Sequence, residues 1–309
     1  MRGYRIFSGT ANVEFSKQIA KYLSLPLSDA GIKRFSDGEI SVQIDESVRG
    51  KDVFIIQSTC APANDNLMEL LILTDAFRRS SANSITAIVP YFGYARQDRK
   101  ANPRVPITAK LVANLIESAG IDRIVTIDLH AGQIQGFFDI PVDNLYGSII
   151  FNDYIKSKHF DNAIIGSPDI GGVARARSVA KNLGLDIAII DKRRERANES
   201  EVMNIIGDVV DKDVILVDDI IDTAGTIVKA AQALKNKGAK SVMACCTHAV
   251  LSGEAYDRIS RGIIDEIVVT DTIPLKNKLP NIKVLSVAPI FAEVIRRIYH
   301  NESVNSLFI

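Results

Sequence analysis

The run Val214-Ile-Leu-Val-Asp218-Asp219-Ile-Ile-Asp222-Thr223-Ala224-Gly225-Thr226 sets two adjacent carboxylates behind four apolar residues, then adds a third carboxylate, two hydroxyls and a glycine. The apolar residues read as a buried parallel strand, and a helix-forming stretch begins near Gly225. Amides at such a turn and helix start converge on a phosphate; glycine allows close approach, and the helix terminus favours an anion. Carboxylates aimed at that phosphate would repel it. Beside it they can accept hydrogen bonds from sugar hydroxyls or hold a divalent cation. The combination points to a phosphorylated sugar. Taken singly, the same residues fit ordinary helix capping and a strand end. Together they fit it less well, because adjacent carboxylates after four apolar residues are costly if buried without a partner. The run lacks the spaced glycines and Gly-Lys-Ser/Thr ending of a nucleotide P-loop.

Five further runs carry groups suited to phosphate or nucleotide chemistry. Phe35-Ser-Asp37-Gly-Glu39 offers a ring that can stack on a purine, with Asp37 or Glu39 able to accept its amino hydrogens. In residues 94–106, Arg96 and Arg99 can fork onto phosphate oxygens, and Gln97 has both donors and an acceptor. His130 follows an apolar strand and can either coordinate a cation or donate to a phosphate. Asp169, in Ser167-Pro-Asp-Ile-Gly-Gly172, can position a hydrated cation. The charged run from Asp191 to Arg196 gives Lys192 or Arg194 as a cation for a transferring group.

The elements that must hold these residues are short Val- and Ile-rich strands separated by amphipathic helices. The strands are Arg5–Phe7, Val53–Gln57, Ile85–Pro90, Ile124–Asp128, Ala163–Gly166, Ile187–Asp191, Val214–Asp218, Ser241–Cys245 and Ile267–Thr270. That alternation predicts an α/β fold with parallel sheets covered on both faces. A helix is expected from Gly225 to Lys237, with Ile227, Ala230, Ala231 and Leu234 inward. Another is expected between Pro106 and Gly120, with Ile107, Leu111, Leu115 and Ile116 as its apolar stripe.

The chain also repeats itself. AKYLSL at 20–25 matches AKNLGL at 180–185, Asp52-Val-Phe-Ile-Ile matches Asp213-Val-Ile-Leu-Val, and IDRIVTID at 121–128 matches IDEIVVTD at 264–271, at displacements of 160, 161 and 143. Two related domains, 1–146 and 147–309, follow from this order. The first copy carries about 18 extra residues between the second and third matches, which are expected in the charged segment 94–106. Only the second copy has the acidic phosphate turn; its counterpart reads Gln57-Ser-Thr-Cys60-Ala.

Composition limits the partners. Across 309 residues, 37 Lys and Arg cancel 37 Asp and Glu, which excludes a globally basic nucleic-acid binder but leaves room for local anion sites. The three cysteines Cys60, Cys245 and Cys246 give no disulfide framework, so reduced thiols and a cytoplasmic location are expected. The first residues do not form a signal-peptide core, and no apolar run is long enough for a membrane span. A soluble, unprocessed protein is the expectation.

VILVDDIIDTAGT resembles the phosphoribosyl diphosphate signature of type I phosphoribosyltransferase folds. With FSDGE at 35–39, YARQDRK at 94–100 and DLHAGQIQGFF at 128–138, the whole chain resembles the ribose-phosphate diphosphokinase family. The resemblance implies two domains of the type I fold and diphosphate transfer from magnesium-bound ATP to ribose 5-phosphate, giving AMP. It assigns Asp222, Thr223, Ala224, Gly225 and Thr226 to the 5-phosphate, Asp218 and Asp219 to the ribose hydroxyls, and Asp169 to magnesium and ribose phosphate. Phe35, Asp37 and Glu39, reaching a neighbouring subunit, bind ATP with Arg96, Gln97, Asp98 and His130, the last also near the metal. Lys192 and Arg194 become catalytic. A homohexamer built from dimers, phosphate activation and ADP inhibition near Ser303–Phe308 are further implications. A phosphoribosyltransferase fits the acidic turn but leaves the 94–106 segment unexplained. A noncatalytic regulatory relative sits poorly with His130, Asp169, Lys192 and Arg194.

Overall fold

The computed structural model describes residues 3–193 and 202–307. They form two compact units, one of Met1–Tyr146, Thr272–Pro274 and Ser286–Ile309, the other of Gly147–Asp271 and Leu275–Leu285.

The first unit runs β1 (Tyr4–Ser8), α1 (Val13–Tyr22), β2 (Ala30–Arg34), β3 (Ile40–Ile44), β4 (Asp52–Ile56), α2 (Ala63–Arg79), β5 (Ser84–Ile88), α3 (Thr108–Ala119), β6 (Arg123–Ile127) and β7 (Val142–Leu145). Its main sheet has the order β1-β4-β5-β6-β7 with every pairing parallel, and β2 and β3 form a separate antiparallel hairpin. Sequence patterning misses that hairpin because AGIKR and ISVQI are largely half-exposed and lack a continuous apolar run. α3 stops at Gly120, as expected, in a left-handed cap with φ of 105°. Its stripe differs from expectation. Ala109, Val112, Ala113 and Ile116 are buried, while Leu111 and Leu115 are 54% and 41% exposed. Ala109, Val112, Ala113 and Ile116 make up the i, i+3, i+4, i+7 face turned to the core, and Leu111 and Leu115 lie off that face.

The second unit runs α4 (Ser148–Ser157), β8 (Ala163–Ser167), α5 (Val173–Leu183), β9 (Ile187–Arg193), β10 (Val202–Ile206), β11 (Asp213–Ile221), α6 (Gly225–Asn236), β12 (Ser241–Ala249), α7 (Ala255–Ser260), β13 (Glu266–Thr270) and β14 (Ile282–Leu285). The sheet order is β10-β9-β8-β11-β12-β13-β14, parallel except where β10 pairs antiparallel with β9. α6 buries Ile227, Ala230, Ala231 and Leu234, the stripe read from the sequence.

After β14 the chain returns to the first unit as α8 (Ala288–His300). There Phe291 meets Phe15 edge-on at 5.7 Å and Tyr299 lies 4.4 Å from Tyr4. The grouping thus differs from a plain division into 1–146 and 147–309. The apolar face of α8, with Phe291, Ala292, Val294 and Ile295 buried, belongs with α1.

Strands β1-β4-β5-β6-β7 and β8-β11-β12-β13-β14 follow one order, so the sequence repeat is a repeat of topology. The extra residues of the first copy are spread more widely than segment 94–106. α3 has 12 residues against 6 in α7, and α2 has 17 against 12 in α6.

Candidate active site

The second unit gathers acids at the carboxyl-terminal edge of its sheet, where parallel α/β folds bind ligands. β11 runs on to Ile221, so Asp218 and Asp219 lie within the strand instead of at its end. Asp219 is buried and Asp218 half-buried. Both meet one cation that sequence reasoning missed: Arg175 Nη1 stands 2.9 Å from Asp219 Oδ1 and 3.2 Å from Asp218 Oδ1. Nothing in the run GGVARAR marks this arginine until α5 is placed beside β11. Burial pushes the Asp218 carboxyl up to about 8, with the charge and hydrogen bond of Asp219 adding to it and Arg175 opposing. Asp169 adds a weaker upward push and sits in the turn between β8 and α5. There its Oδ1 accepts from the Gly172 amide at 2.9 Å, and Ser167 Oγ donates to its carbonyl at 2.7 Å.

The turn after β11 is held from outside. The Ser252 hydroxyl donates to Asp222 Oδ1, the Ser252 amide donates to the Asp222 carbonyl at 3.0 Å, and Arg258 Nη1 donates to the Thr223 carbonyl at 2.8 Å. Ala224 takes φ of 59°, and α6 starts at Gly225 with no side-chain cap and no acid in its first turn. Thr223 and Thr226 are exposed. The opening amides of α6 therefore face outward beside two hydroxyls, with acids set back along the strand. An anion at the amides and hydroxyl groups at the acids satisfy both sets of donors and acceptors.

Lys192 lies in β9, with its backbone paired opposite Met203; its side chain and the whole of Arg194 lie outside the described residues.

In the first unit, Phe35, Asp37 and Glu39 occupy the exposed tip of the β2–β3 hairpin, with Phe35 60% exposed. The tip is closed by Phe35 N to Glu39 O at 2.9 Å, Gly38 N to Phe35 O at 2.9 Å and Glu39 N to Asp37 Oδ1 at 3.1 Å. Arg34 ties the hairpin to the start of α2 through Asp65 at 3.0 Å, and the Tyr94 hydroxyl donates to Asn64 beside it. Arg96 and Gln97 are exposed. Gln97 O accepts from the Ala109 amide at 3.2 Å, and Asp98 Oδ2 accepts from Gln133 Nε2 at 3.0 Å, joining the segment to the turn that follows exposed His130.

His130 and Asp169, the expected metal pair, belong to different units. Among the described residues no group of three or more His, Cys, Asp or Glu side chains converges as a metal cage. Magnesium in phosphate chemistry takes one or two carboxylates and completes its shell with substrate oxygens and water. Asp169, a single carboxylate in the turn between β8 and α5, fits such a partial site.

Residues 4–120 match the model of the N-terminal domain of ribose phosphate pyrophosphokinase, and residues 193–309 match a phosphoribosyl synthetase-associated domain. Over its full length, covering all of each relative, the chain is 88% identical to the ribose-phosphate pyrophosphokinase of Campylobacter jejuni subsp. jejuni and 72% identical to that of Wolinella succinogenes. The crystal structure of phosphoribosylpyrophosphate synthetase from Mycobacterium smegmatis superposes with a TM-score of 0.92 at 44% identity, covering 97% of this chain and 99% of that one.

Proposed function

This chain belongs to the ribose-phosphate pyrophosphokinase family, and we propose that it transfers the diphosphoryl group of ATP to the anomeric hydroxyl of ribose 5-phosphate, yielding 5-phospho-α-ribose 1-diphosphate and AMP. The observation that carries the site assignment is the β11–α6 turn, where uncapped helix amides stand next to an arginine-held acid pair.

In this reading, Asp222, Thr223, Ala224, Gly225 and Thr226 wrap the 5-phosphate, and Asp218 and Asp219 accept the ribose hydroxyls. That fixes the sugar so that its anomeric oxygen faces the β phosphorus of the nucleotide. Arg96, Gln97, Asp98 and His130 bind ATP, and the exposed Phe35 ring with Asp37 and Glu39 serves the ATP site of a neighbouring subunit. Lys192 and Arg194 offset charge on the transferring group as the bond to the α phosphate breaks. Asp169 and His130 are the candidate ligands of magnesium, which when bound would supply further charge neutralisation on the phosphate oxygens. No covalent enzyme nucleophile is needed, because the attacking oxygen belongs to the sugar.

We infer a cytoplasmic homo-oligomer, a hexamer built from dimers, activated by phosphate and inhibited by ADP. Cysteine chemistry supports the location: Cys60, Cys245 and Cys246 are buried and form no disulfide. Among the described residues no helix is long and apolar enough to cross a membrane.

The test is product identification. Purified protein with ATP, magnesium and ribose 5-phosphate should give AMP and the sugar diphosphate in equal amounts by 31P NMR. ADP with a ribose bisphosphate would contradict the proposal, and absence of turnover with phosphate present would favour a noncatalytic relative.

A further inference from the structure

We propose that Arg175 is a positioning residue for sugar binding, acting through Asp218 and Asp219 as their resident counter-cation. The inference rests on the function proposed above and adds a residue to it.

Successive side chains of an extended strand point to opposite faces of the sheet. Asp218 and Asp219 are successive, yet each carboxylate places its Oδ1 within 3.2 Å of the same Arg175 nitrogen. Asp218 Oδ1 also accepts from the Asp219 amide at 2.9 Å, which turns its carboxylate back along the strand. Arg175 is the third residue of α5, the helix that leaves the turn holding Asp169, and β8 pairs directly with β11. The close seating of β8 on β11 depends on Gly166, where a Cβ would fall 2.8 Å from a Leu216 methyl. The guanidinium is thus delivered to the acids by the element that also carries Asp169.

The charge arithmetic explains what this achieves. Whatever the protonation of Asp218, the guanidinium, which stays protonated in proteins, makes the acid pair one charge less negative than it would be alone. The two carboxylates are held in one orientation by the nitrogen they share. The pair also attracts a lone divalent cation less strongly than two uncompensated carboxylates would. Arg175 in this way favours a neutral polyhydroxyl ligand at the acids over a stray metal ion.

The experiment compares wild type, Arg175→Gln and Arg175→Lys in two measurements. The first is binding of Mn2+ alone, read from the loss of its free EPR signal. The second is the split between KM for ribose 5-phosphate and kcat. Arg175→Gln should bind Mn2+ about fivefold or more tighter than wild type, raise KM about tenfold and change kcat much less. Arg175→Lys should return Mn2+ affinity to near the wild-type value while keeping part of the KM defect, because an ammonium lacks the planar fork. Folded Arg175→Gln protein with wild-type Mn2+ affinity and wild-type KM overturns the proposal. Where Arg175→Gln does not fold, a wild-type KM in Arg175→Lys overturns it. Should wild type form no AMP from ATP and ribose 5-phosphate, the proposed function fails, and the Mn2+ titration alone decides the role of Arg175.

Discussion

Thr10 and Glu69 are joined twice: the Thr10 amide donates to Glu69 Oε1 at 2.6 Å and its hydroxyl to Oε2 at 2.7 Å. Gln57 Nε2 adds a third donor at 2.8 Å. Thr10 follows β1, and Gln57 follows β4, the positions that Asp169 and Asp218 hold after β8 and within β11 of the second unit. The copy without the acidic turn has therefore filled the corresponding edge of its sheet with its own carboxylate. Gly9 is required there, since a Cβ would fall 2.2 Å from Gln57 Oε1.

Glu69 is only 2% exposed and accepts three hydrogen bonds, so Glu69→Ala removes three bonds to a carboxylate, the exposed Thr10 donors passing to water, and should cost about 1–3 kcal/mol in urea unfolding. Formate at about 0.1 M should restore part of that loss in the variant by mass action and leave wild type unchanged. Equal responses of the two proteins to formate would show that the carboxylate is not filling an anion-accepting cradle.

The Asp218 carboxyl, raised from 3.8 to about 8, fixes the sign of a pH effect. The native state holds that proton more tightly than the unfolded chain does, so the penalty of ionising it is absent below about pH 4. It grows as pH rises and is complete above about pH 8. Asp218→Asn removes it. The variant should be more stable than wild type by about 1–3 kcal/mol at pH 9, with the difference shrinking toward pH 5, while it binds ribose 5-phosphate more weakly. Thermal unfolding across that pH range provides the check, and a difference that does not vary with pH would assign the stability change to something other than Asp218 ionisation.

Much of this fold was legible because buried parallel strands are apolar runs. β4, β11, β6 and β13 could be matched across the repeat by pattern alone, and the acidic turn stood out because carboxylates are costly at the end of such a run. What stayed hidden depends on contacts distant in sequence. Arg175 is an ordinary helical arginine until α5 lies against β11, and Glu69 is an ordinary helical glutamate until α2 lies against β1 and β4. α8 lies in the second half of the sequence, and its packing against α1 is what places it in the first unit. The outward leucines of α3 show the same limit, since periodicity reports that a face is apolar but not which apolar residues a neighbour covers.

The return of α8 carries a stability consequence. Phe291 is fully buried against the edge of the equally buried Phe15, so Phe291→Ala should cost about 3–5 kcal/mol. Hydrogen exchange should place the loss in α1 and β1 of the first unit. A loss confined to strands of the second unit would contradict the grouping.

Gly93 sets the base of the 94–106 segment. Its amide donates to Thr59 Oγ1 at 2.7 Å, and a Cβ would fall 2.4 Å from the Thr59 carbonyl oxygen. Gly93→Ala must push the segment off β4's following loop, at about 1–3 kcal/mol. If Arg96, Gln97 and Asp98 bind ATP, KM for ATP should rise several-fold with KM for ribose 5-phosphate little changed. An equal rise in both would mean that the damage is global.

Lys192 is the residue whose effect should fall on turnover. β9 continues beside β8, the strand that leads into the Asp169 turn, so the backbone of Lys192 reaches the same edge of the sheet as the sugar site. A cation that meets charge developing on the transferring diphosphoryl group interacts more strongly in the transition state than with bound substrates, so its loss lowers kcat and spares KM. Lys192→Ala should reduce kcat about 100- to 1000-fold, the range found when one preorganised charge-stabilising donor is removed. Both KM values should stay within about threefold of wild type. Steady-state kinetics with both substrates varied would reveal the split; a variant with unchanged kcat and raised KM would move Lys192 from catalysis to substrate binding.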